Sequence, residues 1–70
     1  MTKQRKVLRA AEQVITAYGG TANCAKRWDV SPGAVSQWRA DGIPTGYHYR
    51  MARDLEAKGY IVDGKGLGWL

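Results

Sequence analysis

The chain has very little of what small catalytic or secreted domains rely on. Its one cysteine, Cys24, excludes an internal disulfide framework and a thiolate zinc site. Its one histidine, His48, would leave any metal to recruit carboxylates, and no spacing of acids favours that. Asp54 and Glu56 lie two apart on an expected helix, so they do not face one another as an acid–base pair. No nucleophile stands beside a base, and no glycine-rich phosphate loop is present. The reading is therefore a chain that is not an enzyme, with no catalytic residue, no cofactor, no metal and no small-molecule ligand. Apolar runs are short as well. None approaches the roughly 18 residues that span a bilayer, so no membrane partner is expected. Lys3, Arg5 and Lys6 resemble the start of a signal peptide, but Arg9 and Glu12 break the apolar stretch that must follow. A cytoplasmic location is expected.

Acidic residues are also scarce: six Asp and Glu stand against eleven Lys and Arg, for a net charge of +5. The whole excess lies in residues 1–40, since residues 41–70 carry four charges of each sign. Such a one-sided surface points to a polyanion, and the plain alternative is a solvated basic face. With 70 residues the chain forms one small domain, burying about 60% of its unfolded surface.

Apolar spacing predicts four helices. Val7, Leu8, Ala11, Val14, Ile15 and Tyr18 make one face of a helix over residues 3–18, capped by Thr2 and ended by Gly19-Gly20. Lys3, Lys6 and Arg9 sit against its dipole, which suits a waiting anion. Ala22, Cys24, Ala25 and Trp28 mark a second helix over 21–28. Ser31 is a good N-cap and Pro32 suits a first helical position, so a third helix runs over 32–41 with Ala34, Val35 and Trp38 inward and Gly42 as its stop. Ile43-Pro44 is extended. Thr45 is expected to cap a fourth helix to Lys58, with Met51, Ala52 and Leu55 buried and Gly59 ending it. Beyond it, a β-branched run, an Asp-Gly turn and a second apolar run predict a β-hairpin over 60–70. The fold class is mainly α, with residues 1–59 as the working domain and residues 60–70 as a C-terminal hairpin.

The second and third helices, with their short joint, have helix-turn-helix spacing over 21–40. Numbered from Thr21, the small residue required at the fifth position is Ala25. The apolar fourth, eighth, tenth, fifteenth and eighteenth positions are Cys24, Trp28, Val30, Val35 and Trp38. The ninth position, left-handed and usually glycine, is Asp29, one of the side chains that tolerate that conformation. Gly19-Gly20-Thr21 through Ala25, then Val30-Ser31-Pro32-Gly33-Ala34-Val35-Ser36-Gln37-Trp38, then Ile43-Pro44, resemble the Cro-type and YdaS-like helix-turn-helix repressors of temperate phages and prophages. The resemblance covers about residues 5–57, and its most specific part is Ala34-Val35-Ser36-Gln37-Trp38 followed by Ile43-Pro44.

That resemblance implies a lambda-repressor-like fold, binding to double-stranded DNA and a place at the nucleoid, with helix 32–41 in the major groove. The groove admits one helix, and its base edges carry a unique pattern of donors and acceptors. Ser31, Pro32, Gly33, Ser36 and Gln37 are the expected base-contacting residues. Gln37 matches adenine bidentately, Gly33 permits close approach, and Pro32 suits a base methyl. Thr21 at a helix N-terminus, Lys26, Arg39, Thr45, Tyr47 and His48 are the expected phosphate contacts. Trp28, Trp38 and Cys24 fall on required apolar positions and are read as core.

A single motif buries too little surface for tight specific binding, so a homodimer on a two-fold symmetric site is expected. Tyr60, Val62, Leu67 and Trp69, on one side of the expected hairpin, are the candidate dimer interface, unless the tail simply folds over its own core. Two other functions fit the same residues. In a winged-helix binder, 47–58 would read DNA and 60–70 would be the wing, with Lys65 at its tip. In a protein-interaction module of antirepressor or antitoxin type, the same helices would meet a protein.

Overall fold

The computed structural model describes residues 6–69. Where turn chemistry and apolar spacing agree, the helices form as the sequence predicts. Following a short first helix α1 (Ala11–Ala17), α2 spans Thr21–Trp28, α3 spans Pro32–Asp41 and α4 spans Thr45–Ala57. Ser31 caps α3 through its hydroxyl, which accepts the Ala34 N–H at 3.1 Å, and Pro32 occupies the first turn. At the end of α1, Gly19 takes a φ of 96° and the N–H of the next residue, Gly20, returns to the Ile15 carbonyl at 3.1 Å, a closure that positive φ makes possible.

The two ends of the chain depart from expectation. Val7–Leu8 form not the first turns of a helix but a strand, β1, and Ile61–Val62 form β2, paired with it in parallel. Ile61 N–H donates to the Lys6 carbonyl at 3.0 Å, and Asp63 N–H donates to that of Leu8 at 2.9 Å. A parallel pair needs a long crossover, and here α1 to α4 supply it. The helical spacing of Val7 and Leu8 was outweighed by this distant partner, which leaves Leu8 completely buried. The helix consequently begins only after an extended Ala10, and Gln13 reaches back to accept the Arg9 N–H at 2.6 Å. Thr2, Lys3 and Arg5 lie outside the described residues.

The expected hairpin over 60–70 is replaced by β2 and a one-turn helix α5 (Gly64–Leu67). Asp63-Gly64 reads equally well as a hairpin turn or as a helix cap, and the cap prevails. The Asp63 carboxylate accepts the Gly66 N–H at 3.0 Å, and an ion pair with Arg9 at 3.8 Å holds it toward β1. A Cβ at Gly66 would lie 2.8 Å from that carboxylate, so a side chain there would displace the capping Asp63. The second arm, rich in glycine, has little strand preference to oppose this.

Leu8, Val14, Ile15, Cys24, Ala25, Val35, Trp38, Ile43, Met51 and Leu55 form the buried core, drawn from β1, all four longer helices and the α3–α4 joint. At its border, Asp54 on α4 ties α1 and α2 together. The Tyr18 hydroxyl donates to one carboxylate oxygen at 2.7 Å, and the Arg27 guanidinium donates to the other at 3.1 Å. Burial by itself raises the pKa of Asp54. The Tyr18 and Arg27 hydrogen bonds, with the Arg27 and Lys58 charges, outweigh it and hold the carboxyl below its ordinary value. The same contact, on top of burial, pushes the Tyr18 hydroxyl well up.

Because the folded pKa of Asp54 is depressed, its stabilisation is complete above the ordinary carboxylate range and is lost as pH falls through the lowered value. Asp54→Asn is expected to cost about 1.5–3 kcal/mol at neutral pH, the range for hydrogen bonds to a charged group. It should also flatten the acid limb of stability against pH. Urea denaturation of both proteins across that range checks both expectations.

Candidate nucleic-acid interface

The joint between α2 and α3 decides how α3 is presented. Asp29 closes α2 at φ 55°, ψ 49°, the sole non-glycine residue with positive φ among the described residues. Val30 N–H then returns to the Ala25 carbonyl at 3.0 Å, and the chain enters α3 through an extended Ser31. Ala25 is 3% exposed, small enough for α3 to cross α2 closely. Val35 and Trp38 face the core.

Four aromatic rings continue this anchoring. Trp28 meets Tyr18 edge-on at 5.9 Å and Tyr47 edge-on at 6.0 Å, and Tyr47 packs against Trp38 at 4.8 Å. The rings link α1, α2, α4 and α3 in series, each in a favourable edge or tilted geometry. Arg27 lies over Trp28 at 4.6 Å while holding Asp54, so its charge is engaged within the fold.

With its inner face anchored, α3 turns its other face outward. Ser31, Pro32, Gly33, Ser36, Gln37 and Arg39 are all exposed. Gln37 is not idle, however: its amide donates to the Asp41 carboxylate one turn on. Asp41 thus belongs to the exposed face and orients Gln37, a role the sequence reading missed. Its signal was present in the four-residue spacing of Gln37 and Asp41.

The expected phosphate contacts divide. Thr21 stands at the start of α2, whose N-terminus has no side-chain cap, because Gly20 precedes it and the Asn23 amide turns back to the Gly19 carbonyl. Lys26 and Arg39 are exposed. Thr45 is the first residue of α4 rather than its cap. Pro44, already extended at ψ 145°, takes the capping position and accepts the Tyr47 N–H at 3.0 Å. Tyr47 is half-buried among the tryptophans. His48 uses one ring nitrogen on the Ile43 carbonyl and stacks on Trp69 at 4.8 Å and 11°. Both side chains are half-buried, with part of each ring in internal packing.

Tyr60, Val62, Leu67 and Trp69 are half-buried against the core of their own chain. Among the described residues no hairpin forms to serve as a wing. Among the described residues, no group of three His, Cys, Asp or Glu side chains could hold a metal. Burial pushes the Cys24 thiol up, away from the reactive thiolate. No helix of the described residues is long and apolar enough to cross a membrane.

Two helices joined through a left-handed residue, the second packed on one side and polar on the other, define a helix-turn-helix domain. A family model for the DNA-binding transcriptional regulator Cro matches residues 10–54, and the chain belongs to that family. It is a DNA-binding transcriptional regulator of Cro type. The match takes in α1 to α3 and most of α4, leaving β1, β2 and α5 outside it. Comparison with curated proteins and with solved structures gave no match.

Asp29 gives the joint a direct test. A β-branched residue has no local hydrogen bond to offset left-handed strain, so Asp29→Val is expected to destabilise by about 1–2 kcal/mol. Asp29→Gly should be neutral or stabilising. Thermal denaturation of the two variants beside the wild type checks this.

Proposed function

We propose that the chain binds a two-fold symmetric operator as a homodimer, with α3 of each copy in the major groove, and regulates transcription by occupying that site. The observation that carries this reading is the division of α3 into a fully packed inner face and an exposed polar outer one. On the outer face, Gln37 and Ser36 have no packing role and offer donors and acceptors to base edges. A bidentate Gln–adenine pair contributes about 1–3 kcal/mol of discrimination. Gly33 lets the helix approach, with Ser31 and Pro32 at its leading end. Thr21, Lys26, Arg39 and Thr45 flank that face and are suited to phosphates, where they would set orientation and not sequence. The positive charge concentrated in residues 1–40 supports the same partner. In this reading the protein works in the cytoplasm, at the nucleoid.

Asp41 is the unusual member of the set. A carboxylate on a DNA-facing surface opposes the phosphate field, so its use must be to hold Gln37 in a reading orientation. Asp41→Asn is expected to raise affinity for all duplexes and narrow the gap between operator and unrelated DNA. Titrations against both duplexes at two salt concentrations measure this.

The decisive experiment for the reading is selection of bound sequences from random duplexes. The wild type should enrich a two-fold symmetric motif, and Ser36→Ala/Gln37→Ala should bind with little base preference. A folded wild type that enriches no motif would overturn the proposal. Binding that falls steeply with salt accords with DNA through counterion release, whereas indifference to salt points to a protein partner.

A further inference from the structure

α4 and the tail enclose an open, mainly apolar groove lined by His48, Ala52, Val62 and Trp69. A second depression lies between α4 and α2, and it is basic. Arg27, Arg50 and Arg53 line it around Trp28, with Tyr49 and Ala57 beside them. Asp54, the acid of that lining, already binds Tyr18 and Arg27, so the charge of Arg27 is answered within the fold. Arg50 and Arg53 are exposed and form no ion pair among the described residues, although Glu56 stands one turn beyond Arg53.

A loose arginine on a helix surface has no fixed geometry, but these two are held. The Arg53 guanidinium donates to the Tyr49 hydroxyl at 2.8 Å and lies over that ring at 5.6 Å. The Arg50 guanidinium donates to the Gly46 carbonyl at 3.3 Å and lies over Tyr47 at 5.3 Å and Trp28 at 6.0 Å. Each hydrogen bond uses one of the N–H donors of a guanidinium, so both side chains keep donors for an anion. Ordering them before a partner arrives removes part of the entropic cost of binding. They stand three residues apart on α4, which places their Cβ atoms roughly 5–6 Å apart and lets both reach one ligand.

We propose that this face docks an acidic segment of a second protein, with carboxylates about one helical turn apart on Arg50 and Arg53. A guanidinium fork donates two parallel hydrogen bonds to a carboxylate, a match that fixes orientation as well as charge. Tyr49, 70% exposed, and Ala57 offer a surface to an apolar residue between the two acids. The ring contacts place the patch behind α3. Arg27 and Arg50 lie over Trp28, Trp28 meets Tyr47, and Tyr47 packs on Trp38 of the inner face of α3. The body of the domain therefore separates the patch from a duplex on the outer face, which favours a protein occupant over phosphates. The inference goes beyond the operator reading and does not rest on it.

Fluorescence anisotropy of the full chain with a labelled helical peptide, carrying two glutamates one turn apart and a leucine between them, tests the proposal. Wild type should bind it and should not bind the peptide with glutamines in their place. Arg50→Gln/Arg53→Gln should weaken binding roughly tenfold or more, since both carboxylate pairs are lost. Lys6→Gln/Lys65→Gln removes the same charge at exposed positions elsewhere and should leave binding within about twofold. Amide shifts that the peptide induces in wild type should centre on residues 27–28 and 49–53, a readout independent of any variant. Duplex binding should be unchanged in Arg50→Gln/Arg53→Gln. A wild type that ignores the glutamate peptide, equal losses in the two double variants, or shifts centred elsewhere overturns the proposal. Duplex binding that falls with Arg50→Gln/Arg53→Gln overturns it too, by assigning the patch to phosphates. A wild type that binds the peptide at this patch but no duplex supports it and counts against the operator reading alone.

Discussion

The structure depends on a joint in which Trp28, the last residue of α2, is held between two tyrosines. Tyr18 brings the end of α1 to it, and Tyr47 brings α4 and, through Trp38, α3. Beside the rings, Asp54 binds Tyr18 and Arg27 with separate carboxylate oxygens. The ten side chains buried among the described residues set no unique angle between helices on their own, because apolar contacts have little directional preference. Edge-on rings and a two-fold hydrogen-bonded carboxylate do have direction. They convert a collapsed bundle into one in which α3 faces outward at a defined angle, the condition for reading a groove.

Much of this was legible in the residues. Ser31, Pro32 and Gly42 define α3 by backbone chemistry that any context would respect, and Asp29 stands where the motif requires left-handed geometry. Of the motif's apolar positions, Cys24, Ala25, Val35 and Trp38 are buried, while Trp28 and Val30, read from the same pattern, are only half-buried at the border of the core, as is Ala52 on α4. The ends were less readable, for a physical reason. Val7 and Leu8 fit a helical face as well as a strand, and only their pairing with residues more than fifty positions away decides between them. Asp63-Gly64 is likewise a turn or a cap according to what surrounds it. Site residues divide along the same line. Ser36 and Gln37 stand out because no packing demand explains them, whereas Tyr47 and His48 also pack against Trp28, Trp38 and Trp69, contacts that no local pattern announces.

The segment outside the family match has its own part in the architecture. Its strand closes the sheet with β1, and its Trp69 stacks on His48, which in turn holds the Ile43 carbonyl at the entrance to α4. The tail thus braces the joint that follows α3 while walling one side of the α4 groove. One small domain thereby presents two distinct surfaces, a polar one on α3 and an apolar one rimmed with charge on α4. On the reading proposed above, the first meets DNA.

The central claim, that α3 and not α4 or the tail is the DNA-reading element, is tested most directly by NMR titration of the labelled chain with duplex DNA. The largest amide shifts are predicted at residues 31–41 and at the start of α2, exceeding those over α4 and residues 60–69. Largest shifts across α4 and residues 60–69, with α3 unmoved, would contradict the account.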